Sequence, residues 1–373
     1  MIYLLIFAFI LFLLYIVMTS HYQKHWMEDF EVVIGFSEEE AGVGDSLYLY
    51  ETATNKKKMK LPAICVKFAT SKFLKFEDEK EGTVSDYFYR NDVMSVDGFQ
   101  KVRHKLRFTC KRRGLYCVKE AELVSYDMLY SRPFVHRIGV DAQLVVYPSL
   151  IPVERFMPLF YSLNGCMKTN VPLFEDPFAF VGVREYTPQD SMRKIHWKAS
   201  ARMGEWQVKT TEYSASTPVV ILLNLESPGV FTPVDVLEDS IRLAYSFVYY
   251  LSKQGVSTRL VVAGDEKIRL QGNGRHQVSA VRRALAMVSY KNVCCRGEEL
   301  LERELPRMRA DERVIFISAA GKKPVQQMAE QMMRCVEGKF MWIAPILSEQ
   351  SEDNELRDIS PAIANCLVKW GGC

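Results

Sequence analysis

Residues 1–18 are apolar throughout, and no charged side chain appears before His21 and Lys24. As a helix rising ~1.5 Å per residue, that run spans ~27 Å, close to the thickness of a bilayer's hydrocarbon core. A cleaved signal peptide would need a basic stretch ahead of a shorter apolar run and a small-x-small cleavage site behind it. Here no Lys or Arg precedes the run, and Met18-Thr19-Ser20-His21 follows it. The segment therefore reads as a retained membrane anchor over residues 1–20, with the bilayer as partner of residues 1–18. The flanking Lys24, with His21 and His25, favours a soluble body on the cytoplasmic side.

The remainder is expected to be globular. Of 373 residues, 48% are apolar and 25% charged, enough for two domains with cores of their own. A net charge of +3 gives no global drive towards nucleic acid. Nine cysteines, including the adjacent Cys294 and Cys295 and the terminal Cys373, form no paired framework and no Cys-x-x-Cys. That pattern fits a reducing compartment and argues against a zinc site.

From residue 30 to 150 the pattern is one of strands. Ser46-Leu47-Tyr48-Leu49-Tyr50, Ile64-Cys65-Val66-Lys67-Phe68 and Leu106-Arg107-Phe108-Thr109-Cys110 are short and rich in aromatic and β-branched residues. Gly42, Asn55, Asp97-Gly98 and Gly114 separate them, so the spacing predicts an antiparallel β-sandwich. Along the third of these, Arg103, Lys105, Arg107 and Lys111 share one parity while Leu106, Phe108 and Cys110 take the other. The reading is a half-buried strand with a basic face, solvated or else touching anionic lipid headgroups. Nucleic acid is disfavoured as a partner, because the aromatic residues fall opposite the charges.

From residue 214 to 373 the period changes. Val219-Val220-Ile221-Leu222-Leu223 is a continuous apolar run, as in a strand buried on both faces. Thr232 and Pro233 then open a helix that Gly255 stops, and Thr258-Arg259-Leu260-Val261-Val262 forms the next strand. Helices near 277–289, 297–308 and 325–336 alternate with strands at 314–317 and 340–343. The expectation is a doubly wound α/β domain, making the chain an α+β multidomain protein.

Between the halves, residues 175–213 are dense in Arg, Lys, Trp and Tyr. The segment holds Gly182-Val183-Arg184-Glu185-Tyr186, then Pro188-Gln189-Asp190-Ser191-Met192-Arg193-Lys194-Ile195-His196-Trp197, then Ser200-Ala201-Arg202. This order resembles the signature of the bacterial family known as domain of unknown function 58. Arg112-Arg113-Gly114-Leu115-Tyr116 and Val146-Tyr147-Pro148 also look like its landmarks. The resemblance implies a membrane segment, a β-sandwich and an α/β domain similar to von Willebrand factor type A domains. It also implies company with MoxR-type AAA+ ATPases and other membrane proteins, and no established biochemical role.

Arg184, Arg193 and Arg202 can pair with carboxylates, Glu185 and Asp190 lie among them, and Tyr186 and Trp197 offer flat faces to guanidinium groups. The segment is then either a clasp between the two halves or a docking surface for a partner's carboxylates or phosphates. A type A domain holds a divalent cation through Asp-x-Ser-x-Ser after its first strand. Here Asn224, Glu226 and an out-of-register Ser227 occupy that stretch, so no metal is expected. The chain also lacks Gly-x-Ser-x-Gly, a phosphate loop, His-Glu-x-x-His and a dinucleotide glycine motif. No catalytic residue and no cofactor are assigned. The expected function is a membrane-anchored, non-enzymatic adaptor. A hydrolase or transferase using Glu185 or Asp190, and an extracytoplasmic ligand-binding module, are the alternatives.

Overall fold

The computed structural model describes residues 2–77, 87–126, 132–166, 182–187, 192, 195–210, 218–227, 229, 233–264, 267–290, 293–346 and 359–371. The chain is mixed α+β and forms two compact units, Met1–Ser149 and Leu150–Cys373.

The first unit begins with α1 (Ile2–His25), a helix long and apolar enough to cross a membrane. Nine strands follow among the described residues: β1 (Phe30–Phe36), β2 (Glu40–Gly42), β3 (Ser46–Asn55), β4 (Leu61–Ser71), β5 (Leu74–Phe76), β6 (Tyr87–Val96), β7 (Lys101–Cys110), β8 (Gly114–Tyr126) and β9 (Pro133–Tyr147). They make two sheets, in the orders β1-β3-β7-β5 and β2-β9-β8-β4-β6. Every pairing is antiparallel except that of β2 with β9. The alternation seen in the sequence is the alternation of burial: Leu47, Leu49, Glu51, Ala53 and Asn55 of β3 point inward and their neighbours outward. Leu49, Phe76 and Phe108 from one sheet meet Val66, Leu123 and Leu144 from the other in a single core.

One expectation needs correcting here. Lys101, Arg103, Lys105 and Arg107 do line the outer face of β7, with Phe108 and Cys110 buried behind them. Tyr48 and Tyr50 of β3, however, stand directly opposite Arg107 and Lys105. Cross-strand partners share a face, so this basic surface carries aromatic rings after all. Lys105 Nζ lies 3.7 Å from the Tyr48 ring centre, and the Arg103 guanidinium 5.1 Å from that of Tyr50. Parity within one strand cannot reveal what the neighbouring strand contributes.

A charged cluster interrupts the core. Asp92 holds Arg90 through two bonds of 2.8 and 2.9 Å, and Arg90 stacks over Phe76 at 4.6 Å. Glu51, wholly buried, has His104 Nδ1 at 4.0 Å. Burial, reinforced by the Asp92 charge and only partly offset by Arg90, pushes the Glu51 carboxyl up to about 8.

The second unit opens with α2 (Val153–Cys166), then β10 (Gly182–Glu185), α3 (Trp197–Met203) and β11 (Gln207–Thr210), which form the module described below. The rest comprises β12 (Val219–Asn224), α4 (Val234–Lys253), β13 (Thr258–Ala263), β14 (Lys267–Gly272), α5 (Gly274–Met287), α6 (Gly297–Glu304), a 3-10 turn (Leu305–Arg307), β15 (Arg313–Ile317), α7 (Lys323–Cys335), β16 (Phe340–Ile346), α8 (Pro361–Ala364) and β17 (Leu367–Gly371). Six strands form one sheet in the order β14-β13-β12-β15-β16-β17, parallel but for the edge strand β14. Both faces are covered. Val219, Ile221 and Leu223 of β12 pack with Ile241, Phe247 and Val248 of α4, while Val220 and Leu222 pack with Leu300, Val325 and Ala329 of α6 and α7. That explains the unbroken apolar run. Helix α4 ends at Gln254 with Gly255 in the left-handed region (φ 75°). Thr232, the expected N-cap, lies outside the described residues, and Pro233 precedes the first turn.

Candidate functional site

The signature segment folds into a small module. Strands β10 and β11 pair antiparallel, with Arg184 opposite Val208 and Glu185 opposite Gln207. Ile195 bridges to Val208, and both side chains are buried. Helix α3 is closed locally at both ends. His196 Nδ1 accepts the Ala199 N–H (3.0 Å), and Gly204, at φ 76°, donates its N–H to Ser200 O. Ser200 Oγ donates to His196 O (3.0 Å) and accepts from Gln207 N (2.9 Å), tying the helix to β11. His196 N–H also donates to Gln207 O at 2.8 Å. So His196 and Ser200, which resemble catalytic residue types, are engaged in holding α3 to the hairpin.

With these bonds made inside the module, its exposed large side chains face outward. No residue of α3 is buried. Trp197 is 68% exposed, Met203 64%, Met192 60% and Trp206 48%. Arg184, Glu185, Lys198 and Arg202 are exposed as well. Tyr186 packs edge-on against Trp206 (5.4 Å), its N–H donating to Trp206 O. Its ring partner is thus an indole. The Arg184 guanidinium donates to Glu185 O at 3.1 Å. Trp197 and Arg202 project from the short helix without an aromatic or ionic partner among the described residues. Asp190 and Arg193 lie outside the described residues. Trp206 was not singled out in the sequence, although a tryptophan four residues after Arg202 is a usable signal.

The other candidate positions lie at the C-terminal edge of the parallel sheet, between β12 and β15. There the chain runs from β12 to β13 on one side and returns to β15 on the other, the place where such sheets form a crevice. Asn224 is wholly buried. Its Nδ2 donates to Ser318 Oγ (3.0 Å) and its Oδ1 accepts from Glu226 N (3.1 Å). Ser318 Oγ donates onward to Ala320 O, and Trp342 Nε1 donates to Ser318 O. The Glu226 carboxylate accepts the Gly297 N–H at the start of α6 (2.9 Å) and pairs with Lys322 Nζ (3.0 Å). A side chain on Gly297 would lie 2.8 Å from Asn224 Nδ2, which is why glycine stands there. Ser227 turns away and donates to Gly229 O. The positive charge facing Glu226 is therefore the chain's own ammonium. Lys322 lies far along the sequence and carries no local signal of this role. Among the described residues no group of three or more His, Cys, Asp or Glu could hold a metal ion.

Solved structures with some likeness include a β-glucosidase from Listeria innocua in complex with gluconolactone, at 12% identity and a TM-score of 0.17. The match covers 31% of this chain and 16% of the glucosidase, so the chain spans under a fifth of that protein. A non-cellulosomal cohesin from Archaeoglobus fulgidus matches at 12% identity and a TM-score of 0.23, over 35% of this chain and 97% of the cohesin. A CARDB domain from Pyrococcus furiosus matches at 11% identity and a TM-score of 0.19, over 30% of this chain and 90% of that domain. No curated protein matches the sequence. Residues 182–332, which run from the first strand of the surface module into α7, match the family model described as protein of unknown function DUF58, and this supports assignment to that family.

Proposed function

We propose that the protein is a membrane-anchored, non-enzymatic adaptor whose signature module docks a partner macromolecule. One observation carries this reading: a module of few residues closes its own hydrogen bonds and presents Trp197, Met203 and Trp206 to solvent beside Arg184 and Arg202. Tryptophan and arginine are the residue types that carry most binding energy at protein interfaces, and exposed apolar clusters with a polar rim mark such surfaces. Its basic side chains favour a partner rich in carboxylates.

The resemblance stated above makes a MoxR-type AAA+ ATPase the expected partner, in assembly or remodelling of envelope complexes. Lys24, in the last turn of α1 beyond its apolar run, supports a cytoplasmic body. A mostly parallel sheet with helices on both faces supports a von Willebrand factor type A-like domain, and the Glu226–Lys322 pair beside Asn224 supports one that holds no cation. Enzymatic use of Glu185 finds little support, since the two side chains near it with catalytic potential, His196 and Ser200, are committed to the fold of α3.

The test is cross-linking of the full-length protein in its native membranes, with affinity recovery and mass spectrometry, alongside a Trp197→Ala variant. Recovery of an AAA+ ATPase by the wild type, and its loss with a folded variant, is the expected result. Equal recovery by both removes the module as the docking surface.

A further inference from the structure

The turn from β3 to β4 carries Lys56, Lys57, Lys58 and Lys60. Lys57 turns inward, and its Nζ donates to the carbonyl oxygens of His25, Trp26 and Glu28, each at 2.6 Å. The His25 carbonyl belongs to the last turn of α1, where helices leave oxygens unpaired and the helix dipole favours a cation. Lys57 thereby pins the turn to the end of the anchor. The same end is held on its other side by Tyr22 Oη and Ser125 Oγ at 2.6 Å, and by Trp26 edge-on to His136. The apolar run stops at Met18, seven residues before His25. At ~1.5 Å per residue the turn therefore stands about 10 Å beyond the hydrocarbon edge, next to the lipid headgroups.

The remaining side chains at this end face outward. Lys56 pairs with Glu31 (3.3 Å) and Lys60 with Asp97 (3.2 Å), both exposed pairs that bind weakly. Lys24, Lys58 and Lys101 are exposed and have no ion-pair partner among the described residues. Six lysines here face four carboxylates, those of Glu28, Asp29, Glu31 and Asp97, an excess of two positive charges. Phe99 is 73% exposed on a left-handed backbone (φ 57°). Its N–H donates to Lys57 O, and Gly98 packs so close to Lys58 O that a Cβ would stand 2.4 Å away. An aromatic ring is thus held out, at some backbone cost, beside the lysines.

We infer that this end of the sandwich is a docking surface for anionic phospholipid headgroups of the bilayer that α1 enters. Lys24, Lys56, Lys58, Lys60 and Lys101 meet the phosphates, and Phe99 enters the interface. The inference rests on α1 spanning that bilayer. It gives the body a second attachment, so that it does not swivel on a single helix.

The test uses the full chain. Flotation with phosphatidylcholine vesicles first checks the anchor. Native mass spectrometry in neutral detergent then compares binding of phosphatidylglycerol with that of phosphatidylcholine. At about five-fold per excess charge, the wild type should prefer the anionic lipid by about ten-fold or more. A Lys56→Gln, Lys58→Gln, Lys60→Gln triple variant leaves the Lys57 cap intact and should lose the preference, with an unchanged melting temperature. A wild type without preference, or a variant that keeps it, overturns the docking surface while leaving the anchor standing. Displacement of the lipid by inorganic phosphate at matched ionic strength also overturns it. Failure to float removes the anchor and the surface together.

Discussion

The signature module and the junction at the end of β12 are built from the same materials, charged and hydrogen-bonding side chains around one or two tryptophans, yet they dispose of them in opposite ways. At the junction every polar group named above meets another within the fold. Asn224 bonds Ser318 and the Glu226 amide, Glu226 takes Gly297 and Lys322, and Trp342 closes on Ser318 O. In the module His196 and Ser200 are the ones bonded internally, and Trp197, Met203 and Trp206 are left exposed. Polar groups that satisfy one another stabilise a fold, whereas apolar and cationic groups kept in water are ready to bind something else. The contrast favours the module, not the junction, as the place for a partner.

Substitutions in the two regions should therefore separate stability from binding. The largest loss is expected from Gly297→Ala, whose added carbon would meet Asn224 Nδ2 at 2.8 Å and Val325 Cγ2 at 3.2 Å. Overpacking of this kind costs about 2 kcal/mol, read as a lower denaturation midpoint; an unchanged midpoint would mean the junction has slack.

A cost tied to pH is expected at Glu51, a buried group without the compensation Glu226 enjoys. Its carboxyl is raised from 4.5 to about 8, so folding takes up a proton. Its favourable contribution is complete below about pH 4.5 and disappears as pH rises through about 8. Glu51→Gln should match the wild type near pH 4 and exceed it by a growing margin as pH rises towards 8. Parallel pH–stability curves for the two proteins would refute this.

Smaller again is the pair Glu226 and Lys322. Because Lys322 is 44% exposed, solvent screens the interaction, and a double-mutant cycle with Glu226→Gln and Lys322→Met should return a coupling of about 1 kcal/mol or less. Trp197→Ala should move stability least, by under about 0.5 kcal/mol, while lowering partner recovery at least ten-fold. A large melting shift in that variant would reclassify the tryptophan as structural.

How much of this was legible beforehand depended on period. Strands β3, β4 and β7 could be read because one face is buried and the other wet, and β12, β15 and β16 because both faces are buried. Helix α2 escaped notice, since Pro158 falls inside it and interrupts the apolar spacing. The antiparallel β14 was also missed: it is an edge strand with alternating Lys267, Arg269 and Gln271, which reads as loop. At the sites, motif residues identified where to look but could not give orientation. Arg184 donates to the Glu185 carbonyl oxygen and Tyr186 packs on Trp206, contacts that the motif spacing does not announce. Lys322 stands 96 positions from its partner Glu226, beyond any local pattern.

The bond between Tyr22 and Ser125 spans 103 positions of the chain, and the one between Lys57 and the end of α1 spans about a third of that. During synthesis α1 is made first, yet both of its fastenings are made later. At ~5–20 residues per second, Ser125 follows Tyr22 by ~5–20 s. If α1 enters a bilayer as it is made, it does so while its base is still loose, and the sandwich is then assembled onto a segment whose direction is already chosen.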